Sequence, residues 1–338
     1  MKSLIQKLTE AYAPAGHEDV VRDLVRAEIR SLVDSVSVDA LGNLIAVRKG
    51  QGRGGRRVAL AAHMDEIGLI VSHIDSRGFA RVTNVGGVRP LYAAGGRVRF
   101  TNGAIGVIGV EMRRERPDHI PALSDLFVDF GVSRAADVPV RVGDVGAFMG
   151  AYAELPGGRI AAKSLDDRIG VVVLIETLRR LKRSPHEIAF VFTVQEELGL
   201  RGAGPAAFAV EPEVVLAVDV TATGDTPNSV RMAVALGGGA AIKAKDTGML
   251  VDPRLRDLLI QRAKEARLPY QIEVLEGGRT DAAEMQLARG GAIAGCVSIP
   301  CRNVHSPVEV VDLGDVEAAI GLLVATLSKP MDSLVIGD

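Results

Sequence analysis

The first and last parts of the chain alternate helix-like and strand-like patterns. Apolar residues at helical spacing form one stripe over residues 20–33 and predict an amphipathic helix. Short apolar runs at residues 36–38, 44–47 and 58–62 predict strands. After Ile160 the alternation returns, with strands predicted at residues 188–194, 214–219, 270–274 and 292–299. Strands that alternate with helices indicate an α/β fold, in which a mostly parallel sheet carries helices on both faces.

The pattern changes between residues 67 and 157. Glycines are frequent there, and short segments alternate apolar and polar residues. Asn102-Gly103 separates two such segments and is a strong signal for a hairpin turn. We therefore expect a small β-barrel domain at residues 67–157, inserted into an α/β domain formed by residues 1–66 and 158–338. Residues 113–123 are charged, contain two prolines and predict a mobile loop.

Capping signals mark the starts of two predicted helices. Ser164 and Asp167 fit a capping box that opens a helix over residues 168–181. Asp252 precedes Pro253, which is the arrangement of an N-cap residue followed by proline at the first helical position. Further helices are predicted from Asp281 and over residues 313–327, and they complete the α/β pattern.

Length and composition limit the classes of protein. A chain of 338 residues with 47% hydrophobic residues can form a large domain and a smaller one. The net charge of −2 gives no electrostatic reason to expect binding to nucleic acid or to an anionic membrane. No apolar run approaches the ~18 residues of a membrane span, and the charged, helix-like start is not typical of a signal peptide. We therefore expect a cytoplasmic protein. The two cysteines, Cys296 and Cys301, lack the spacing of a zinc site, and we expect them to be buried because cysteine is commonly a buried residue.

Acidic and imidazole side chains directly follow several of the predicted strands. Sites in α/β sheets form beyond the carboxyl ends of the strands, so we expect these side chains to meet at one edge of the sheet. Glu196 and Glu197 are adjacent and would point to opposite faces of a regular strand, so the chain must turn there, as Gly199 and Gly202 allow. The candidates, including one at a helix start, are His63, Asp166, Glu196, Glu197, Asp219 and His305.

These residue types suit a divalent transition metal. Imidazole and carboxylate ligands fit zinc, cobalt or manganese. Paired hydrolytic ions lie ~3.5–4 Å apart and need a bridging ligand, which a carboxylate can provide and a histidine normally cannot. Asp65, two residues after His63, is placed to accept the second imidazole N–H. Helix caps and solvated surface acids explain each residue singly, so spacing alone leaves a metal site and a set of unrelated acids as open alternatives.

Six short motifs that contain these candidates follow one another along nearly the whole chain. They are His63-Met-Asp-Glu-Ile-Gly68, Ser164-Leu-Asp-Asp-Arg-Ile-Gly170, Val194-Gln-Glu-Glu-Leu-Gly199, Val218-Asp-Val220, Thr280-Asp-Ala282 and His305-Ser-Pro-Val-Glu309. Together they resemble the tetrahedral (TET-type) metallo-aminopeptidases, a family that includes glutamyl aminopeptidases and proteins often labelled cellulases or endoglucanases. The departures are small: Arg279 stands where a glycine or small residue is common, and Cys301 and Asn303 stand where Thr and Tyr are frequent.

The resemblance implies a metal centre as well as a fold. It implies a catalytic α/β domain with an inserted β-barrel, and two divalent metal ions per subunit. Zinc and cobalt are the first choices, with manganese as a third. By motif, His63 and Asp219 would hold one ion and Glu197 and His305 the other. Asp166 would bridge the two.

The implied activity is removal of N-terminal residues from peptides. Glu196 would act as general base and return the proton to the leaving amine, and Asp65 would orient His63. A related two-metal deacylase would use the same ligands and stays an alternative. A glycoside hydrolase, as the cellulase label suggests, needs two carboxyls ~5–9.5 Å apart and no histidines, and this chain has no Trp to stack on sugars. A non-catalytic scaffold would have no use for Glu196 beside metal ligands.

Substrate contacts and assembly are predicted separately. Arg279, Thr280 and Asp281 are candidate substrate contacts, with Arg279 either an anchor for acidic side chains or a structural arginine. No proposed ligand lies in the predicted barrel, so we expect the barrel to contact other subunits. The resemblance implies dimers that assemble into a hollow tetrahedral dodecamer, whose inward-facing sites meet peptides and exclude folded proteins.

Overall fold

A computed structural model describes residues 1–111 and 120–334 of the chain. The predicted loop at residues 113–123 lies for the most part outside the described residues. The helices are α1 Lys2–Thr9, α2 Asp19–Ile29, α3 Pro90–Ala93, α4 Leu165–Arg180, α5 Ala203–Val210, α6 Pro253–Glu265, α7 Asp281–Met285 and α8 Leu313–Leu327. The strands are β1 Ser35–Val38, β2 Leu44–Arg48, β3 Arg57–His63, β4 Gly68–Ile74, β5 Phe79–Val85, β6 Arg97–Phe100, β7 Ile105–Val110, β8 Leu126–Asp129, β9 Val145–Phe148, β10 Ala153–Leu155, β11 Arg159–Ala162, β12 Glu187–Thr193, β13 Val214–Thr221, β14 Ala240–Lys245, β15 Tyr270–Val274, β16 Ile293–Arg302 and β17 Glu309–Asp312.

The larger sheet has its parallel strands in the middle. Its order is β1-β2-β12-β3-β13-β16-β17-β11-β10, with β14 and β15 attached beside β16. The pairings of β3 with β12 and β13, and of β13 with β16, are parallel. The pairings toward both ends of this order are antiparallel. The α/β fold class is confirmed, and the sheet is mixed because antiparallel strands extend the parallel centre on both sides.

Helices cover both faces of this sheet. Side chains of β3 alternate between the two cores: Val58, Leu60 and Ala62 pack into the larger one, and Ala59 and Ala61 into the smaller one. Helices α1, α2, α4, α6 and α8 contribute to the larger core, and α5 and α7 to the smaller. Helix α4 is buried along most of its length because it lies between the sheet and the outer helices.

The insertion is a closed antiparallel barrel, as predicted. Its strands follow the order β4-β5-β8-β7-β6-β9 and all lie between β3 and β10 in sequence. Strands β6 and β7 form the predicted hairpin, with Gly103 at a φ of 84° in the turn. Strand β10, which falls within the predicted insertion, pairs with β11 of the larger sheet. The domain limits at residues 66/67 and 157/158 stay a prediction.

The predicted capping box at the start of α4 is wrong. The Ser164 hydroxyl donates to the Thr9 carbonyl, and Ser164 itself has a left-handed φ of 47°. Asp167 caps the helix, because its Oδ1 accepts the Gly170 N–H at 3.0 Å. The cap at Asp252 is confirmed, since its side chain accepts the Arg254 N–H. Moving the cap to Asp167 places Asp166 in a non-helical segment ahead of the regular helix.

A fully buried arginine joins the segments that carry the site. Arg168 donates Nε to the Met64 carbonyl at 2.6 Å and Nη1 to the Leu8 carbonyl at 2.7 Å. Glu66 faces Arg168 at 3.4 Å and pairs with the buried Lys163 at 2.5 Å. Breaking such a buried network by removing one partner costs about 3–5 kcal/mol. The chain after β3 and the start of α4 are therefore held in a fixed relation.

Two expectations from composition meet the structure here. Cys296 and Cys301 are free and buried, as expected. Within residues 1–111 and 120–334, no helix combines the length and the apolar character that crossing a membrane requires.

Candidate metal centre and active site

The strand ends deliver the predicted side chains to one cavity. His63 ends β3, Asp219 lies near the end of β13, and His305 lies between β16 and β17. Glu196 follows β12 after a short turn, and Asp166 precedes the regular part of α4. These five and Glu197 all line a cavity of about 1000 Å³. The predicted convergence is therefore present at the carboxyl edge of the parallel strands.

Asp166 lies between the two histidines. Its Oδ1 is 3.1 Å from His63 Nε2, and its Oδ2 is 3.3 Å from His305 Nε2. Glu197 Oε1 is 3.2 Å from the same His305 nitrogen. One carboxylate thus presents an oxygen to each half of the cluster, which is the arrangement that a ligand shared by two ions requires.

Two groups of side chains have the spacing of metal ligands. His63, Asp166 and Glu197 place ligand atoms within 4.8 Å of one another, and so do His63, Asp167 and Asp219. The sequence did not single out Asp167 as a ligand. Both its oxygens already accept backbone N–H groups, from Gly170 at 3.0 Å and from His63 at 3.3 Å. These hydrogen bonds favour a structural role for Asp167, and Asp166 is the better candidate for binding an ion.

A tight turn aims both glutamates into the cavity. Gln195 has a left-handed φ of 53°, which breaks the strand alternation after β12. Asp65 holds the turn, since its two oxygens accept the N–H groups of Glu196 at 3.0 Å and Glu197 at 3.1 Å. Gly202 permits a close approach, because a Cβ there would stand 2.2 Å from the Asn43 side-chain oxygen.

Asp65 also lies against His63. His63 Nδ1 is 3.2 Å from the Asp65 carbonyl oxygen and 3.4 Å from its Oδ1. This geometry suits the orientation of the imidazole, with Nε2 facing Asp166. The same carboxylate therefore also holds the backbone of Glu196 and Glu197, a role that no local sequence pattern indicates.

The barrel contributes to the wall of the site, which sequence reasoning missed. Gly87 follows β5 and lies against the His305 ring, where an added Cβ would stand 2.4 Å from Nδ1. A Cβ on Gly86 would stand 2.9 Å from the Glu197 Cβ. Arg89 lines the cavity as well. The two glycines allow the barrel to approach these side chains as closely as it does.

The buried acids of the site raise one another's pKa values. Burial raises the pKa of the Glu196 and Asp219 carboxyls well above their ordinary values, and neighbouring negative charges raise both further. Burial lowers the pKa of His305, but hydrogen bonds to Asp166 and Glu197 outweigh it and raise that pKa to about 11. The cluster therefore favours positive charge at its centre, which is the condition under which a divalent cation binds well.

The three predicted substrate residues are placed differently. Arg279 is exposed and lines the cavity, and Thr280 lines it as a buried residue. Asp281 is buried at the start of α7 and accepts a hydrogen bond from the Thr193 hydroxyl. Burial raises the pKa of Asp281 to about 6. Asp281 does not line the cavity in the described part of the chain.

Comparison with known proteins decides the family. The family model described as M42 glutamyl aminopeptidase matches residues 42–322. The chain belongs to this family. A relative from Acetivibrio thermocellus, named as an aminopeptidase with no substrate stated, is 44% identical to this chain. The match covers 97% of this chain and 98% of the relative. Lysyl aminopeptidase of Pyrococcus furiosus is 38% identical over 97% of this chain and 98% of its own.

Solved structures agree with this membership. Aminopeptidase APDkam598 of the archaeon Desulfurococcus kamchatkensis superposes with a TM-score of 0.93, at 41% identity over 98% of this chain and 96% of its own. The TET1 peptidase of Pyrococcus horikoshii superposes with a TM-score of 0.84, at 32% identity over 97% of this chain and 99% of its own. That peptidase is described as able to assemble into a tetrahedron or a large octahedral shell. The resemblance to TET-type aminopeptidases is thereby confirmed.

Behind the glutamate turn lies a further buried acid. Glu18 Oε1 accepts the N–H groups of Gly16 at 2.7 Å and of Gln195 at 3.1 Å. Burial, reinforced by the charge of Asp65, raises the pKa of Glu18 to about 7 from its ordinary 4.5. The charged form of Glu18 is therefore disfavoured in the folded protein.

This shift predicts a pH dependence of stability. With the folded pKa above the unfolded one, the contribution of Glu18 is complete below about pH 4.5 and is lost as pH rises through about 7. The loss is about 3 kcal/mol. Glu18→Gln keeps an acceptor for both N–H groups and removes the titration, so its free energy of unfolding should fall less between pH 5 and pH 8. Denaturant unfolding of both proteins across that range checks this, and parallel curves would contradict it.

Proposed function

We propose that this chain is a two-metal aminopeptidase that removes N-terminal residues from peptides. The observation that carries the proposal is the placing of Asp166 between His63 and His305, with one carboxylate oxygen toward each imidazole. The described residues fit a pair of metal ions. Imidazoles and carboxylates line one cavity, and the repulsion among the carboxylates favours the binding of cations. Membership of the aminopeptidase family supports the same reaction.

The ligand assignment follows the two halves of the cluster. We assign His63 and Asp219 to one ion, Glu197 and His305 to the other, and Asp166 to both. Nitrogen and oxygen ligands of this kind suit zinc or cobalt, with manganese as a third choice. Such ions supply Lewis acidity, which lowers the pKa of water and polarises a carbonyl group.

The protein's own contribution to the reaction centres on Glu196. Its side chain faces the cavity with Oε2 4.0 Å from His63 Nε2, and burial raises its pKa well above that of an ordinary carboxyl. A carboxylate with a raised pKa can accept the proton of the attacking water and then give it to the leaving amine. Asp65 supports this step by fixing the Glu196 backbone N–H. The cavity gives a peptide room to reach both groups.

Substituting the two adjacent glutamates separates catalysis from metal binding. Glu196→Gln should retain two metal ions per subunit and lower kcat by ~10² or more, because a proton acceptor is lost. Glu197→Gln should lose one ion. Mass spectrometry of bound metal, with kcat on aminoacyl anilides and N-acyl amino acids as control substrates, measures both. Loss of metal in Glu196→Gln alone would reverse the two roles, and turnover of the N-acyl compounds instead of the anilides would indicate a deacylase.

Arg279 is our candidate for recognising an acidic N-terminal side chain. It is exposed at the cavity, beside Gly277 and Gly278, and makes no ion pair with the described residues. Its guanidinium is thus available to pair with a carboxylate of the substrate. Thr280 lines the same cavity, and its buried hydroxyl has no hydrogen-bond partner among the described residues.

The Arg279 proposal predicts a change in substrate preference. Arg279→Ala should lower kcat/KM for N-terminal Glu and Asp substrates and leave that for Leu nearly unchanged, because one exposed ion pair worth up to about 1 kcal/mol is removed. Arg289→Ala, which removes an arginine stacked on Phe208 outside this cavity, is the matched control. Equal effects on the acidic and the Leu substrates would show that Arg279 does not select acidic residues.

We further propose that the chain assembles into a homo-oligomer through its barrel. Every residue assigned to metal or proton transfer lies outside β4–β9, so the barrel can serve another task besides forming part of the cavity wall. Its outer side exposes large apolar side chains at Leu91, Tyr92, Ile105, Val107 and Val142. The tetrahedron described for the similar peptidase of Pyrococcus horikoshii supports a tetrahedral assembly, and we propose that it is a dodecamer built from dimers.

Light scattering coupled to size exclusion tests the assembly. Twelve chains of 35.6 kDa make a particle of about 430 kDa, and this is the mass we expect at micromolar concentration. Ile105→Glu combined with Val107→Glu should shift the mass toward smaller species, because both side chains are half-exposed on one barrel strand. A fully active monomer of the unchanged protein would refute the proposal.

A further inference from the structure

A buried glutamate behind the site holds two of the assigned ligands by their backbones. Glu309 is 2% exposed and begins β17. Its Oε2 accepts the Asp166 N–H at 2.9 Å, and its Oε1 accepts the His305 N–H at 2.9 Å. One carboxyl group thus joins two segments that are far apart in the sequence: the start of α4 and the loop between β16 and β17.

Both backbones need such support. His305 has a left-handed φ of 64°, a conformation that costs a residue with a side chain roughly 1–2 kcal/mol. Asp166 has φ −73° and ψ 106° and stands outside the helical conformation of α4. The two hydrogen bonds that these backbone N–H groups donate to Glu309 fix the chain where neither local propensity nor helix hydrogen bonding does. The imidazole of His305 then faces the Asp166 carboxylate at 3.3 Å.

The carboxyl group of Glu309 serves this function in a way that a carboxamide does not. Two converging N–H donors need two acceptor oxygens, and the Glu309 carboxyl presents one oxygen to each N–H. A glutamine supplies one oxygen and turns an NH₂ donor toward the second N–H. Burying the Glu309 carboxyl is unfavourable in itself, because burial removes its hydration and the nearby Asp166 carboxylate adds repulsion. Packing alone gives no reason to place a carboxyl there.

The same device occurs on the other side of the centre. Asp65 accepts the N–H groups of Glu196 and Glu197, one with each oxygen. Four of the six residues assigned to proton transfer or to metal are therefore held in two pairs by two buried carboxyl groups. Asp65 fixes one pair and Glu309 the other.

We propose that Glu309 is a positioning residue of the metal centre, which sets the separation of Asp166 and His305 through their backbone N–H groups. The proposal rests on the proposed function, since it takes Asp166 and His305 as ligands. Substitutions of groups that orient metal ligands typically weaken metal binding by roughly 10- to 100-fold, and we expect an effect of that size for Glu309→Gln.

The chain offers a matched control outside the centre. Asp315, in α8, is 1% exposed and accepts the N–H groups of Gly237 and Gly239, each at 2.7 Å. Like Glu309, it is a buried carboxyl group with one backbone N–H at each oxygen. The two glycines that it holds are not assigned as metal ligands. Asp315→Asn should destabilise the fold by a similar mechanism without changing the metal centre.

The experiment is a titration of metal-free protein with Co²⁺ against a competing chelator, followed by visible absorption. The unchanged protein, Glu309→Gln, Asp315→Asn and His305→Ala are compared, together with the thermal unfolding of each metal-free form. We expect Glu309→Gln to raise the Kd of at least one Co²⁺ by roughly 10- to 100-fold and Asp315→Asn to change it by less than about 2-fold. Glu309→Asp keeps two acceptor oxygens on a shorter side chain and should fall between the unchanged protein and Glu309→Gln.

Two results would overturn the inference in different ways. If His305→Ala weakens Co²⁺ binding while Glu309→Gln and Glu309→Asp leave it unchanged, Glu309 does not position the ligands, and the proposed function stands. If His305→Ala itself leaves Co²⁺ binding unchanged, the ligand assignment fails, and the inference about Glu309 fails with it. Should Glu309→Gln not fold, the Kd measured for Glu309→Asp decides between the expected and the contrary result.

Discussion

Repulsion among buried acids is the constraint on which this structure depends. Asp166, Glu196, Glu197 and Asp219 face one cavity, and burial acts against the charged form of each. Such a cluster is stable only when cations or donors surround it. The fold supplies donors from the backbone, and the cavity between the carboxylates suits cations. The concentration of negative charge that opposes folding is also what favours the binding of a metal ion in the proposed centre.

The supporting residues answer this constraint in a consistent way. Asp65, Glu309 and Glu18 each accept two backbone N–H groups, so buried carboxyl groups fix the turns that carry the site by bonding to the main chain. Arg168 and its partners lock the start of α4 to the chain after β3. The inserted barrel completes the arrangement, because Gly87 brings its backbone against His305. The insertion is therefore part of the wall of the site as well as the candidate surface for assembly.

The sequence predicted the parts of the fold that follow from local pattern. Helix α8, the cap at Asp252, the hairpin at Asn102-Gly103 and the strands that deliver the ligands were all within reach of periodicity and turn chemistry. The cap at Ser164 failed because its hydroxyl faces the Thr9 carbonyl, a contact between distant segments that no local pattern contains. Strand β17, short and partly polar, was missed for the same reason. It is defined by its pairing with β11 and β16.

The site divides along the same line. The convergence of five side chains on one cavity could be predicted because residues of metal-ligand type directly follow apolar strands or begin a helix: His63, Asp166, Glu197, Asp219 and His305. Glu309 stood in a recognised motif, but its bonds to two backbone N–H groups depend on the meeting of separate loops. Gly87 gave no signal, since a glycine in a barrel is unremarkable until a histidine ring is found against it.

The most direct test of the proposed two-metal centre is anomalous diffraction from crystals of the zinc-loaded protein. The account predicts two anomalous peaks per subunit, ~3.5–4 Å apart, with the Asp166 carboxylate between them. His63 and Asp219 should lie at one peak, and Glu197 and His305 at the other. A single peak, or a pair of peaks shared by Asp167 instead of Asp166, would contradict it.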